Sequence, residues 1–334
     1  MNSKSGSALM LALVTIVVLS ALMVSFIFRV HLESDLAARA RFGMKANELS
    51  QAGQEYAKWM LIKATSAGSE PEEETGETFF IATKNLQRGV AISQYEVEME
   101  EGSIFISISP ENSRRNVNKL SDPDWEQLLE NSGVPEKEQA KLISAFRDWT
   151  DDDESTRLLG AEEDDPYYQD LDLPVKNADL ITLDELGMIK GFTPAILYGG
   201  SLEDFYGQDD IEVTGIVSQL TVYGDEKLNL NAASKEVLMS LSGIREEQVD
   251  NLLEGRSGDD NIWGTEDDGY RDVIQALATA NLSQETENLF TTADFRWVRI
   301  ISIGEVGNVR RGSLAIYEFT GSEFTLLSYE ERDL

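Results

Sequence analysis

A chain of 334 residues has room for one large domain or two to three ordinary ones, and with 41% hydrophobic residues it can bury a sizeable core. Its 28 Lys and Arg stand against 61 Asp and Glu, a formal charge of -33 that repels phosphate backbones and argues against nucleic acid as a partner. With no cysteine and one histidine, His31, the chain has no disulfide, no thiolate nucleophile, no Cys/His zinc site and no His-based triad in its soluble part.

From Ser7 to Phe28 the sequence SALMLALVTIVVLSALMVSFIF carries no charge over 22 residues, enough to cross about 30 Å of hydrocarbon as a helix. The run exceeds the apolar region of an ordinary signal peptide, and no small-x-small site closes it. Lys4, Ser5 and Gly6 stand directly before it, and this order looks like a prepilin leader. That resemblance implies cutting by a prepilin peptidase between Gly6 and Ser7, with methylation of the new Ser7 amine. Charge leaves the orientation nearly tied, since Lys4 and the amino terminus oppose Arg29, Arg39 and Arg41. The leader resemblance implies a cytoplasmic amino terminus, a single pass through a bacterial inner membrane, and a periplasmic soluble region. After such cleavage the fifth residue is Leu11, where most pilin-like subunits carry a glutamate that pairs with a neighbour's terminal ammonium.

Leu32, Leu36, Ala40, Ala46, Leu49, Gly53, Tyr56 and Met60 recur at helical spacing, so the membrane segment is expected to continue as a stem helix. A plain anchor with a coiled stalk is the alternative. Pro71 and the stretch EPEEETGE are expected to end the helix as an exposed linker. TFFIATKN, GVAISQYEVEME and GSIFISISP are read as strands of a small antiparallel sheet. From Asp122 the pattern turns helical, through DPDWEQLLENSG, VPEKEQAKLISAFRDWTDDD, ITLDELGMIKG and TPAILYGG. Strands are expected again at EVTGIVSQLTVYG, then a helix pair at SKEVLMSLSG and IREEQVDNLLEGR, and finally a hairpin turning at Gly307-Asn308. The fold class is therefore α+β: a pilin-like long N-terminal helix plus a small antiparallel sheet, with an inserted all-helical domain of helix-hairpin-helix or SAM-like type. The expected divisions are 1–6 leader, 7–28 membrane segment, 29–68 stem, 69–115 first part of the sheet, 116–212 inserted helical domain, 213–290 return strand and helix-hairpin-helix module, and 291–334 C-terminal hairpin.

Two helical modules begin alike, one after Asn116-Val117-Asn118 and one after Asn229-Leu230-Asn231, a weak internal repeat. Ser234 suits an N-cap, with Glu236 in the first turn where the helix dipole favours a carboxylate. A helix-hairpin-helix can offer backbone N–H groups to a DNA phosphate. Here Glu236, Glu246, Glu247, Asp250 and Glu254 outnumber Lys235, Arg245 and Arg256, so a packing role is the better reading.

Asp151, Asp152, Asp153 and Glu154 face Glu162, Glu163, Asp164 and Asp165 across a Gly-containing loop, an oxygen-rich pattern that suits calcium without matching an EF-hand. Asp259, Asp260, Asp267 and Asp268 in SGDDNIWGTEDDGYRD form a weaker candidate. Solvated acidic faces are the plain alternative for both. Carboxylate pairs can also serve a glycosidase as acid and base, with Trp149, Tyr167 and Tyr168 as cleft aromatics; this is the one enzyme reading left.

A series of motifs runs in order through the soluble region: Asp148-Trp149 with the acidic run, Gly160-Ala161-Glu162, Tyr167-Tyr168, Lys176-Asn177, Asp184-Glu185-Leu186, Lys190-Gly191-Phe192, then Asn229-x-Asn231. The series resembles the minor pseudopilin K family of type II secretion systems, and the leader, the stem and Leu11 agree with it. The acidic linker around Glu72 to Glu74 and the charge of -33 depart from it. The resemblance implies a non-enzymatic tip subunit of a short periplasmic pilus that helps initiate assembly and the export of folded proteins. Its implied partners are other minor pseudopilins of a tip complex, and calcium is implied in the soluble region. A membrane-anchored periplasmic enzyme, or a binding module using the helix-hairpin-helix, is the alternative.

Overall fold

The computed structural model describes residues 4–66, 76–202 and 211–333, so the linker expected around Pro71 and Glu72 to Glu74 lies outside the described residues. One unbroken helix, α1 (Lys4–Thr65), runs 62 residues and holds both the apolar segment and the stem. Its sequence contains no proline, and at its end the Ser66 amide and hydroxyl both turn back to the Ile62 carbonyl. Burial begins only at Gly43 and recurs at Ala46, Ser50, Gly53, Ala57, Met60, Leu61 and Ala64, steps of three and four that keep one stripe against the protein. Leu32 and Leu36, part of the expected apolar stripe, stay exposed.

The segment TFFIATKN is not a strand. It lies in α2 (Gly76–Gln87), which buries Phe79, Ala82, Thr83 and Leu86 at helical spacing. The strand preference of Phe-Phe-Ile is overridden because Phe79 packs on Tyr56 and Trp59 of the stem, with ring centroids 6.5 and 4.8 Å apart. Strands β1 (Ile92–Met99) and β2 (Gly102–Pro110) form the expected hairpin. The helical insertion follows, and the chain returns in β3 (Trp297–Val306), β4 (Val309–Phe319) and β5 (Phe324–Asp333). The turn from Val306 to Val309 uses Gly307 at φ 61°, as a two-residue loop with glycine first requires. The C-terminal hairpin is thus a three-stranded meander, because β5 pairs with β4 from Phe324 to Asp333. All five strands are antiparallel, in the spatial order β1, β2, β3, β4, β5.

Helix and sheet meet through small residues. A Cβ on Gly53 would lie 2.1 Å from Ser302 Oγ, and one on Gly304 would lie 2.0 Å from the Ala46 carbonyl oxygen. At that close range Ser50 Oγ donates to the Ser302 carbonyl at 2.8 Å, and Gln54 Nε2 reaches the Ile300 and Ser313 carbonyls at 3.2 Å. Ile104, Ile106, Ile108, Val298 and Ile300 fill the core between them, each fully buried and contributing roughly 1.5–3 kcal/mol. Because Ser302 sits beside Ser50 while Val298 pairs with Pro110, the chain leaves the sheet at the end away from the apolar part of α1.

Two helical modules occupy that end. The first holds α3 (Asp122–Asn131), α4 (Glu136–Thr150), α5 (Pro166–Leu171) and α6 (Pro194–Tyr198) around Trp125, Phe146, Trp149, Tyr168 and Leu186. ITLDELGMIKG contributes a 3-10 turn, Leu183–Met188, where an α-helix was expected, held by a Thr182–Glu185 capping box. The expected return strands at EVTGIVSQLTVYG do not join the main sheet: Ile211–Val213 pairs with Gly200–Leu202, and Leu220–Thr221 pairs with Arg115–Asn116. The second module packs α7 (Lys235–Met239), α8 (Glu246–Glu254) and α9 (Val273–Thr279) around Leu238, Val249, Leu252, Tyr270 and Leu277.

The two modules are closed by the same device. A two-residue parallel bridge, Arg115–Asn116 with Leu220–Thr221, ties the ends of the first; Leu228–Asn229 with Phe290–Thr291 ties those of the second. In each, the asparagine side chain accepts from the amide two residues on, Asn116 Oδ1 from Asn118 at 3.1 Å and Asn229 Oδ1 from Asn231 at 2.8 Å. The Asn-x-Asn repeat is therefore a structural one.

Candidate functional site

Among the described residues the only helix long and apolar enough to cross a membrane is Leu9–Thr65. Its apolar side chains from Leu9 to Phe28 are exposed, Leu11 at 69%. Gly6 and Ser7 lie near the start of α1. Above this segment the exposed stem joins a sheet of which one face is covered by helix, so the anchor and the sheet are one continuous rod.

The first acidic loop connects α4 to α5. Asp148 is fully buried at the end of α4, where its carboxylate accepts from the Arg157 amide at 3.1 Å and pairs with the Arg157 guanidinium at 3.4 Å. Gly160 is pressed against it, since a Cβ there would sit 1.9 Å from Asp148 Oδ2. Glu162, 3% exposed, has no partner for Oε1, and Asp151 has none for Oδ1. Burial, and then repulsion from Asp148, Asp151, Asp153 and Asp164, pushes the Glu162 carboxyl up to about 7. Burial raises Asp148 as well.

The other acidic residues of this loop stand apart. Asp152, Glu163 and Asp164 are exposed, and exposed Asp153 accepts from the Ser155 amide at 2.7 Å. Asp165 caps α5 through the Tyr167 amide and holds Lys190 Nζ at 2.6 Å; burial opposes its ionisation, but these two partners keep it below the usual carboxylate range. The buried pair at the heart of the loop is Asp148 and Glu162, and Asp148 was legible in the sequence only as half of the Asp148-Trp149 motif.

The second loop is closed by the Gly269 amide donating to the Arg256 carbonyl at 2.7 Å. Inside it Asp268 is fully buried, accepts from the Gly264 amide at 2.7 Å, and leaves Oδ1 without a partner; burial raises its carboxyl. Asp267 accepts from Thr265 Oγ1 and the Asp259 amide, both at 2.7 Å, and is held low by them. Asp259 is exposed, and exposed Asp260 caps a turn through the Ile262 amide at 2.7 Å.

Each loop thus presents carboxylate oxygens that lack a partner although buried, and oxygen-only donors of this kind suit a hard cation. Among the described residues no three His, Cys, Asp or Glu side chains converge on one point. The donor chemistry fits calcium; a closed coordination shell would need the exposed carboxylates to swing inward.

In the α7–α8 pair, Lys235 is already held by Glu246 at 2.9 Å and Asp250 at 2.8 Å. The Arg245 side chain lies on Gln248, and Arg256 is buried. What remains on this surface is carboxylate, and the pair packs through Val237, Leu238, Val249 and Leu252.

A continuous apolar anchor and stem, an antiparallel sheet wrapped on that stem, and helical modules inserted at its far end define a pilin-like assembly subunit. Residues 107–198 match the family described as Type II secretion system (T2SS), protein K. They hold the end of β2 and most of the motif series, and this domain belongs to that family. Its fold is similar to a chain in the crystal structure of the GspK-GspI-GspJ complex from the enterotoxigenic Escherichia coli type 2 secretion system. The TM-score is 0.57 at 13% identity, covering 92% of this chain and all of that one. Comparison with curated proteins found no match.

Proposed function

We propose that this chain is a minor pseudopilin and the tip subunit of the periplasmic pseudopilus, joined to other minor pseudopilins such as those named in the similar complex, and that it helps initiate assembly for export of folded proteins. The observation that carries this reading is the position of the helical modules. They leave the sheet at the end away from the apolar segment, between Pro110 and Val298, where a further subunit would otherwise stack. Leu11 supports it, because a subunit with no neighbour above needs no carboxylate inside the apolar bundle. The chain acts by assembly, anchored in the inner membrane with its amino terminus cytoplasmic and its modules periplasmic, after a prepilin peptidase has cut between Gly6 and Ser7.

Calcium belongs to the same proposal. Asp148, Asp151 and Glu162 in the first loop would hold it, with Asp152, Asp153, Glu163, Asp164 or Asp165 completing the shell; Asp268 with Asp259, Asp260 and Asp267 would hold a second ion. Support comes from the unpartnered buried oxygens of Asp151, Glu162 and Asp268. Bound there, the ion would neutralise crowded carboxylates and order the loops.

Since the chain has no cysteine, Asp170→Cys on the exposed surface of the first module gives a unique label. Gold on that thiol should mark one end of each isolated pseudopilus. Gold distributed along the shaft would overturn the tip assignment.

A further inference from the structure

The hairpin between α7 and α8 turns at Gly243, whose φ of 84° favours glycine. In a helix-hairpin-helix that binds phosphate, backbone amides of this turn point at the anion. Here the Ser242 amide donates to Asp124 Oδ1 at 3.2 Å, and Asp124 belongs to the first turn of α3 in the other module. The second oxygen of that carboxylate takes Arg115 Nη2 at 2.9 Å and the Ser121 hydroxyl at 2.8 Å. Burial opposes ionisation of Asp124, but Arg115, Ser121 and the Ser242 amide together hold it below the usual carboxylate range, so it is an anion at neutral pH.

The rest of the contact is matched to this one. Where the hairpin side offers carbonyls, the first module offers donors: Arg115 Nη1 reaches the Ser240 carbonyl at 3.1 Å, and Asn131 Nδ2 at the far end of α3 reaches that of Met239 at 2.7 Å. The side chains of Arg115 and Asp124 are only 9% and 17% exposed, so these charge-assisted hydrogen bonds act largely out of water, where they are strong. Beside them lies a cleft of about 260 Å³, lined also by Lys119, Glu226, Leu241 and Leu289. An anion entering from that cleft would need the Ser242 amide and the Arg115 guanidinium, and the Asp124 oxygens already hold both.

We infer that Asp124 is the internal anion of the helix-hairpin-helix: its carboxylate fills the position a phosphate would take, and the motif thereby locks the second module onto the first instead of binding a separate ligand. With the carboxylate removed, the same amide and guanidinium would accept a tetrahedral oxyanion. Hydrogen exchange read by mass spectrometry tests this in the detergent-solubilised full chain, with and without inorganic phosphate at ionic strength matched with sodium chloride. In the unaltered protein the peptide holding Leu241 to Ile244 should be protected, and phosphate should change nothing. Asp124→Ala should raise exchange at the Ser242 amide by roughly tenfold or more while peptides of the stem and sheet keep their rates, and phosphate should restore most of the protection. Asp124→Asn, which keeps the shape but not the charge, should exchange at an intermediate rate and ignore phosphate. If Asp124→Ala also loosens the stem and sheet, Asp124→Asn decides: raised exchange confined to the hairpin upholds the assignment, and protection equal to that of the unaltered protein overturns it. A folded Asp124→Ala chain whose hairpin stays protected, or stays open in phosphate, overturns it too, as does a further gain in protection when phosphate is added to the unaltered protein.

Discussion

Arg299 grips Glu111 with both arms, Nε at 2.8 Å from Oε2 and Nη2 at 2.7 Å from Oε1, although the two residues are 188 positions apart. Glu111 is fully buried, and its Oε1 also accepts from Thr221 Oγ1 at 2.7 Å. One carboxylate therefore binds the last strand before the insertion, the exit of the first module and the first strand after the insertion. Removing it leaves a guanidinium with 18% side-chain exposure and no counter-ion. Glu111→Ala should cost about 3–5 kcal/mol in urea unfolding, and Glu111→Ala with Arg299→Met should recover part of it. A loss below about 1 kcal/mol in the single variant would show the pair to be dispensable.

Helix-to-sheet contact depends on Gly304 differently from Gly43. Gly304→Ala drives a methyl into the Ala46 carbonyl, an atom of backbone that cannot move aside, and should cost roughly 1–3 kcal/mol. At Gly43 the nearest atom is a flexible Arg311 nitrogen at 3.6 Å, so Gly43→Ala should stabilise by up to about 1 kcal/mol through helix propensity. Thermal melts of the two variants should move in opposite directions.

Calcium should raise the melting temperature of the detergent-solubilised chain more than magnesium, which demands a tighter octahedron and gives up water reluctantly. At a hundredfold its dissociation constant an ion adds about 2.7 kcal/mol. Glu162→Gln with Asp151→Asn should abolish the first-loop share. Equal melting in calcium, magnesium and chelator would remove the metal from the account.

In chelator the same loop predicts a pH slope. Glu162 has a folded value of about 7 above its ordinary 4.5, so between these values the folded state binds more protons than the unfolded one. Stability is then greatest below about 4.5 and declines as pH rises towards 7, by at most a few kcal/mol from this group. Glu162→Gln should flatten that part of the profile; an unchanged slope would place its origin elsewhere.

Intact mass of the membrane-extracted protein should correspond to a chain beginning at methylated Ser7. A retained Met1 would contradict the leader resemblance, and a start beyond Phe28 would remove the stem from the working protein.

The stem, the first hairpin and the Gly307 turn were readable because hydrophobic spacing and turn chemistry act within a few residues. TFFIATKN was misread because a contact outside the segment decided it: Phe79 packs on Trp59 of the stem. The C-terminal hairpin reading gave EFTLLSYEERD no strand of its own, and pairing with β4 makes it one. For the acidic loops composition pointed to the right segments but not the right atoms. Asp148 is buried because Gly160 leaves room for its carboxylate, a relation across a folded loop, whereas the run of Asp152, Asp153, Glu163 and Asp164 stands in solvent.

The placement of the modules between β2 and β3 bears on how the chain is made. The stem and β2 are synthesised long before β3, so half a sheet waits with its inner edge unpaired. Each parallel bridge brings the ends of a module together, turning a long excursion into a short one and lowering the closure entropy that β2 and β3 must overcome. Folding of the modules should therefore precede closure of the sheet, and a module slowed by mutation should expose the unfinished rod to proteases before it meets any neighbour.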